Sequence, residues 1–142
     1  MAPLISFAFW GDPPHFARVT VPLALLLYER LLPGSALGNK LRDQGYRIQH
    51  TTDLPAACAT AEQEKPLVVL VDLEWRGADA CTAIQALRGH PATTHLPILA
   101  FSSSRHLKLQ EAALAAGATL IASDEAILAQ LEQMLDQAML VE

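Results

Sequence analysis

The residues of this sequence with the clearest chemical potential lie at the ends of apolar runs. Asp72 closes the run 66–72 (PLVVLVD), and Ser102 closes the run 97–102 (PILAFS). A carboxylate can act as a nucleophile toward a phosphoryl group. Such a transfer needs Mg²⁺ held by nearby acids and donors for the phosphoryl oxygens. An Asp at the end of one buried strand and a hydroxyl at the end of the next therefore make a constellation that could take part in such chemistry.

Short apolar runs alternate with amphipathic stretches of helical spacing. The central runs are apolar at every position, which is typical of strands that are covered on both faces, and this predicts a parallel sheet. Five such units predict a doubly wound (βα)5 flavodoxin-like α/β fold with strand order 2-1-3-4-5. The predicted strands are 22–28, 46–50, 66–72, 97–102 and 118–122. The predicted helices are 35–44, 54–64, 79–88, 107–116 and 124–139, the last with Asp124 as a candidate cap.

In such a sheet the functional crevice lies at the carboxyl ends of the strands. The chain has 142 residues, a length typical of one domain. We predict that the α/β domain spans 21–142. Residues 1–20 lie outside the repeating pattern and are predicted to form an N-terminal arm or hairpin.

The composition of the chain limits which classes of partner and which cellular compartment we expect. The net charge is −5 and no basic run occurs, which argues against a nucleic-acid partner. No apolar run reaches the roughly 18 residues of a membrane span, and no signal-peptide pattern opens the chain. Cys58 and Cys81 lack metal-ligand spacing and are predicted to be buried free thiols. These features predict a cytoplasmic protein with no membrane partner.

Over about 21–140 the sequence resembles the receiver (response-regulator, chemotaxis-Y-like) family. Asp72 falls at the phosphoacceptor position, and Ser102, thirty residues later, falls at that of the Thr or Ser that contacts the phosphoryl group. Gly117 and Ala118 match the Gly-Ala pair that opens the fifth strand, and Asp79 matches an acidic residue of the loop after the acceptor. The resemblance implies a signalling module of the two-component type that is not an enzyme.

The sequence departs from the family at the positions that handle charge. Receivers carry two acids after the first strand to hold Mg²⁺, and here these positions are Tyr28 and Glu29. Receivers carry Lys-Pro after the fifth strand, and here the matching residues are Asp124 and Glu125. With a shift of one residue, Ser123 takes the lysine's place as a phosphoryl contact. The resemblance therefore implies a degenerate pseudo-receiver.

Loss of the lysine leaves acids close together. Their repulsion is expected to raise the pKa of Asp72 and to oppose a phosphoryl dianion. The candidate ligands for weak binding of Mg²⁺ are Glu29, Asp72 and the backbone carbonyl of Glu74, and no other cofactor is implied. Three arginines are candidate substitutes for the missing cation, namely Arg30, Arg76 and Arg105.

We therefore expect a module that acts by protein contact and is not phosphorylated in the usual way. The resemblance implies a histidine kinase or downstream effector as partner, a homodimer, or both, through a face at about 107–140. Trp75, in the loop after Asp72, is a candidate anchor for a partner, against the alternative of local packing.

Two other functions stay open at this point. One is a working receiver that uses Asp72 with Mg²⁺. The other is a flavodoxin-like ligand-binding domain, although 29–35 (ERLLPGS) is a poor phosphate loop and no Gly-x-Gly-x-x-Gly motif is present. The segment after Asp72 also lacks the Asp-x-His-x-x-Gly pattern of cobalamin-binding domains.

Overall fold

A computed structural model describes residues 21–140 of the chain. The predicted arm or hairpin at 1–20 lies outside the described residues, as do 141–142, so that prediction stays untested. The described residues contain one sheet and the helices that cover it.

The sheet has five parallel strands in the order β2-β1-β3-β4-β5, which confirms the predicted flavodoxin-like α/β fold. The strands β1, β3 and β4 are buried at every position because helices cover both of their faces. The edge strand β2 is largely exposed. The strand bounds are β1 Leu23–Leu27, β2 Arg47–Thr51, β3 Val68–Asp72, β4 Ile98–Ser102 and β5 Leu120–Ser123.

Two apolar cores lie on the two faces of this sheet. One contains Leu37 and Leu41 of α1 with Ile127 of α5 and Leu135 of α6, and the other is closed by α2, α3 and α4. The helix bounds are α1 Leu31–Asp43, α2 Ala57–Glu64, α3 Ala80–Gly89, α4 Leu107–Ala116, α5 Asp124–Ala129 and α6 Leu131–Leu140, with a 3₁₀ turn at Leu54–Ala56 before α2. None of the helices within 21–140 combines the length and apolar character that crossing a bilayer requires.

Helix α1 begins four residues earlier than predicted, at Leu31 and not at residue 35. Pro33 fits in the first turn because the N–H groups there have no partner within the helix. Gly34 is required because a Cβ at this position would lie 2.1 Å from the ring of Tyr28. The segment 29–35 is therefore largely the first turn of a helix and not a phosphate-binding loop.

The last predicted helix is two helices, and its cap is Ser123 and not Asp124. The Ser123 hydroxyl accepts a hydrogen bond from the Ala126 N–H at 3.1 Å. Asp124 is the first residue of α5, and its carboxylate is available for contacts across the crevice. The chain leaves the helical region at Gln130, and α6 begins at Leu131.

Both cysteines are free thiols, but they are only partly buried, which corrects the prediction of full burial. The Cys58 thiol lies 3.7 Å from the Ala86 carbonyl oxygen and lines a small cavity between α2 and α3. Cys81 lies in the first turn of α3, where the helix emerges from the loop after β3. Apolar helical spacing identified the inward side of these helices but not how closely their ends pack.

Candidate functional site

The strand ends bring the predicted site residues to one edge of the sheet. Asp72 ends β3, Ser102 ends β4 and Ser123 ends β5. The register places Asp72 opposite Phe101, and Ser102 opposite Ser123. The parallel arrangement thus brings the three residues to the same edge of the sheet. Their roles in phosphoryl chemistry remain predictions.

The carboxylate of Asp72 is fully buried, and both of its oxygens have hydrogen-bond donors. Oδ2 accepts from Arg30 Nε at 2.8 Å. Oδ1 accepts from Arg30 Nη2 at 2.8 Å and from the Glu74 backbone N–H at 2.9 Å. A planar guanidinium paired with both carboxylate oxygens is the geometry of a strong, charge-assisted ion pair.

The same guanidinium also binds Asp124 at the start of α5. Arg30 Nη1 and Nη2 donate to the two Asp124 oxygens at 2.9 and 3.0 Å. The Glu74 carboxylate lies 3.6 Å from Nη1. Arg30 thus links the segment after β1 to the end of β3 and to α5. Of the three arginines proposed as a substitute cation, Arg30 is the one that the structure places on Asp72.

Burial is the main cause that raises the pKa of Asp72 above its ordinary value. The Arg30 and Glu74 hydrogen bonds oppose that shift, and the nearby charge of Asp124 adds to it. The predicted direction is therefore confirmed, but desolvation outweighs repulsion as its cause. Burial lowers the pKa of Arg30, yet its bonds to two carboxylates outweigh burial and raise that pKa overall.

Glu74 and Trp75 are engaged locally around Asp72. Glu74 Oε2 accepts the Ser103 backbone N–H at 2.6 Å, and Oε1 lies 3.6 Å from His106 Nε2. The Trp75 indole N–H donates to the backbone carbonyl of Asp72, and its ring packs against the core. These contacts agree with the local-packing alternative for Trp75. The place of His106 was missed because no motif distinguishes it in the sequence.

The two positions that hold acids in receivers are engaged elsewhere. Tyr28 stacks on His50 with ring centroids 3.8 Å apart and planes 12° from parallel. Glu29 is exposed, and its Oε1 accepts the Arg76 backbone N–H at 2.8 Å. Neither side chain is directed to Asp72 by a described contact.

The carboxylates of Glu29 and Asp72, two of the predicted Mg²⁺ ligands, are held by different partners and do not fit a shared magnesium ion in this arrangement. Within 21–140, no three or more His, Cys, Asp or Glu side chains are grouped in a way that could hold a metal ion. Arg30 occupies both oxygens of Asp72, and Glu29 is turned to the loop after β3. Mg²⁺ would have to displace a guanidinium that makes four hydrogen bonds.

The two serines proposed as phosphoryl contacts have structural partners. Ser102 is buried, and its hydroxyl donates to the Ser103 carbonyl and accepts from Gln110 Nε2, both at 3.0 Å. Ser123 caps α5. Each hydroxyl would have to exchange a bond to serve a phosphoryl group.

Comparison with solved structures identifies the fold. The receiver domain of the sensor histidine kinase PA1611 from Pseudomonas aeruginosa, solved with magnesium in its active-site cleft, matches with a TM-score of 0.75 and 22% identity over 83% of this chain and 97% of that chain. The receiver domain of NtrX from Brucella abortus matches with a TM-score of 0.74 and 16% identity over 84% and 99% of the two chains. CheY4 of Vibrio cholerae matches with a TM-score of 0.67 and 20% identity over 80% and 98%.

Similarity in sequence is more limited. No protein-family model matches the chain. The response regulator PleD of Caulobacter vibrioides is 32% identical over 60 residues, which are 42% of this chain and 13% of PleD. These matches cover the solved receiver domains almost completely and identify the fold of this chain. The chain has the CheY-like receiver fold, a flavodoxin-like α/β fold with five parallel strands.

Proposed function

We propose that this chain is a signalling module of the two-component type that acts by protein contact and is not phosphorylated in the usual way. The observation that carries the proposal is the ion pair in which Arg30 covers both oxygens of Asp72. A carboxylate must have a free oxygen to attack a phosphoryl donor. The Arg30 guanidinium blocks that attack and excludes the metal ion that the attack requires.

The balance of charge also supports the proposal. Three carboxylates, those of Asp72, Glu74 and Asp124, lie within 3.6 Å of the guanidinium of Arg30. The four groups together carry a net charge of about −2 when the carboxylates are ionised. A phosphoryl group would bring a further charge of about −1.5 to −2 into this crevice. Repulsion would disfavour the phosphorylated form unless another cation entered.

The surface proposed for the protein contact is the face at about 107–140. Leu107 and Leu114 lie one heptad apart on α4, and both are exposed. Exposed leucines that lie together suit a contact with a histidine kinase, a downstream effector or a second copy of the chain. Light scattering of the wild type and of Leu114→Ser tests the second copy directly. A monomer in both cases would leave a different protein as the partner.

Beryllofluoride with Mg²⁺, a mimic of an aspartyl phosphate, tests the absence of usual phosphorylation. We expect the amide NMR spectrum of the wild type to be unchanged at millimolar Mg²⁺. The alternative is a working phosphoacceptor receiver, which the place of Asp72 at the end of β3 would favour. Shifts around Asp72, Ser102 and Ser123 that disappear in Asp72→Asn would establish that alternative and refute the proposal.

A further inference from the structure

We propose that Arg30 is a conformational clamp that couples the start of α1 to the start of α5. This inference rests on the proposed function, in which Arg30 stays on Asp72 because no phosphoryl group displaces it. It concerns the second half of the Arg30 contact, the bond to Asp124, which plays no part in blocking Asp72.

The clamp spans elements that do not touch in the sheet. Strands β3 and β5 are separated by β4. Arg30 binds Asp72 at the end of β3 with one edge of its guanidinium and Asp124, just after β5, with the next edge. Arg30 is itself the residue before α1. One side chain therefore fixes the relative positions of three chain segments at the crevice.

The two helices held by the clamp share a core farther along their length. Leu37 and Leu41 of α1 pack in the same apolar cluster as Ile127 of α5 and Leu131 of α6. This cluster holds the bodies of the helices together, whereas their starts are joined by Arg30 and Asp124. The Arg30–Asp124 bonds therefore oppose movement of the start of α1 away from α5.

Helix α5 is short, which makes its start sensitive to such a contact. It has six residues and is separated from α6 by the non-helical Gln130. Short helices have little stability of their own and depend on caps and tertiary contacts. The described polar contacts at its start are the Ser123 cap and the Asp124–Arg30 ion pair. Loss of the ion pair is therefore expected to open α5 locally, before global unfolding.

Residue-resolved amide hydrogen exchange on the whole chain tests the clamp. We expect exchange of the amides at 124–129 to become about tenfold faster in Arg30→Gln and in Asp124→Asn, since each loses a charge-assisted hydrogen-bond pair. At 124–129 the double variant should add little to Arg30→Gln alone, because Arg30→Gln already removes the contact to Asp124. Arg105→Gln is the matched control, because Arg105 is an exposed arginine on the loop before α4.

Two results would overturn the clamp. The first is unchanged exchange at 124–129 in Arg30→Gln. The second is an acceleration in Asp124→Asn that is equal at 124–129 and across β1, β3 and β4, which would make the Arg30–Asp124 ion pair an ordinary stabilising contact. If Arg30→Gln does not fold, Arg30→Lys serves instead, since it keeps the charge but loses the bidentate geometry. A beryllofluoride response of the wild type would refute the proposed function and leave the exchange result to decide the clamp.

Discussion

Arg30 and Asp72 are joined by two hydrogen bonds of 2.8 Å, with the carboxylate fully buried and the arginine side chain 28% exposed. The ion pair joins Asp72 at the end of β3 to Arg30 in the segment after β1. Burial of an ionised carboxylate is costly unless a partner compensates it. Compensation here is incomplete, because the same guanidinium is shared with Asp124 and the pKa of Asp72 is still raised.

The raised pKa predicts the sign of a pH dependence for Asp72. The folded protein takes up the proton of Asp72 at a higher pH than the unfolded chain does, whose value is close to 3.8. This contribution to stability is fully present below the unfolded pKa and is lost as pH rises through the folded pKa. Asp72→Asn lacks this titration and is therefore the reference for the pH dependence.

The pH prediction is checked by urea unfolding of both proteins between pH 4 and pH 7. The wild type should gain free energy of unfolding relative to Asp72→Asn as the pH falls. Comparison between the two proteins removes the titration of the other acids, which both share. A wild type that loses stability relative to the variant on acidification would show that the charged form of Asp72 is the favoured one.

Removal of the guanidinium should destabilise the fold. Arg30→Gln leaves Asp72 buried with fewer donors and leaves Asp124 near it, and we expect a loss of about 2 kcal/mol in the free energy of unfolding. Thermal or urea denaturation measures the loss. The exposed control Arg105→Gln should change stability by less than about 0.5 kcal/mol. Equal effects of the two changes would mean that the Arg30 ion pairs contribute little.

Gly34 is predicted to be intolerant of a side chain. A Cβ at this position would lie 2.1 Å from the Tyr28 ring, which is stacked on His50. We expect Gly34→Ala to destabilise the protein by about 1–3 kcal/mol, the usual cost of overpacking. When Tyr28 is already replaced by alanine, Gly34→Ala should cost less stability than it costs in the wild type. If Gly34→Ala is as stable as the wild type, the ring must move without cost.

The conformation of Gly117 explains the glycine of the Gly-Ala pair that follows α4. Its φ is +123°, and a Cβ there would lie 2.4 Å from Cγ of Arg88. The Arg88 guanidinium donates to the Gly117 carbonyl oxygen at 2.7 Å and to the Thr119 hydroxyl at 2.8 Å. We expect Gly117→Ala to cost about 1–3 kcal/mol in urea unfolding, through strain and displacement of Arg88. A cost below about 0.5 kcal/mol would contradict this reading of the contact.

The fold could be predicted from the sequence because burial leaves a local signal. The apolar runs that end at Asp72 and Ser102 are covered on both faces, and such runs specify central parallel strands. Strand order and the meeting of the strand ends then follow from connectivity. The crevice was therefore predictable, together with the placement of Asp72, Ser102 and Ser123 along its edge.

The contacts inside the crevice could not be predicted. Nothing in the sequence distinguishes Arg30 from Arg76 or Arg105, since the choice depends on where α1 begins. The prediction treated Pro33 and Gly34 as loop residues and placed the helix start too late, whereas both lie in the first turn of α1 and Gly34 is close to the Tyr28 ring. Contacts between side chains far apart in sequence, such as Arg30 and Asp124, can be identified only from the three-dimensional structure.

The measurement that tests the central claim most directly is the intact mass of the protein after incubation with Mg²⁺ and acetyl phosphate, a small phosphoryl donor. The Arg30–Asp72 ion pair predicts an unmodified mass for the wild type, with a receiver domain known to be phosphorylated by acetyl phosphate as the positive control. A phosphoryl adduct on the wild type that is absent from Asp72→Asn would contradict the claim. It would show that Arg30 leaves Asp72 free to react.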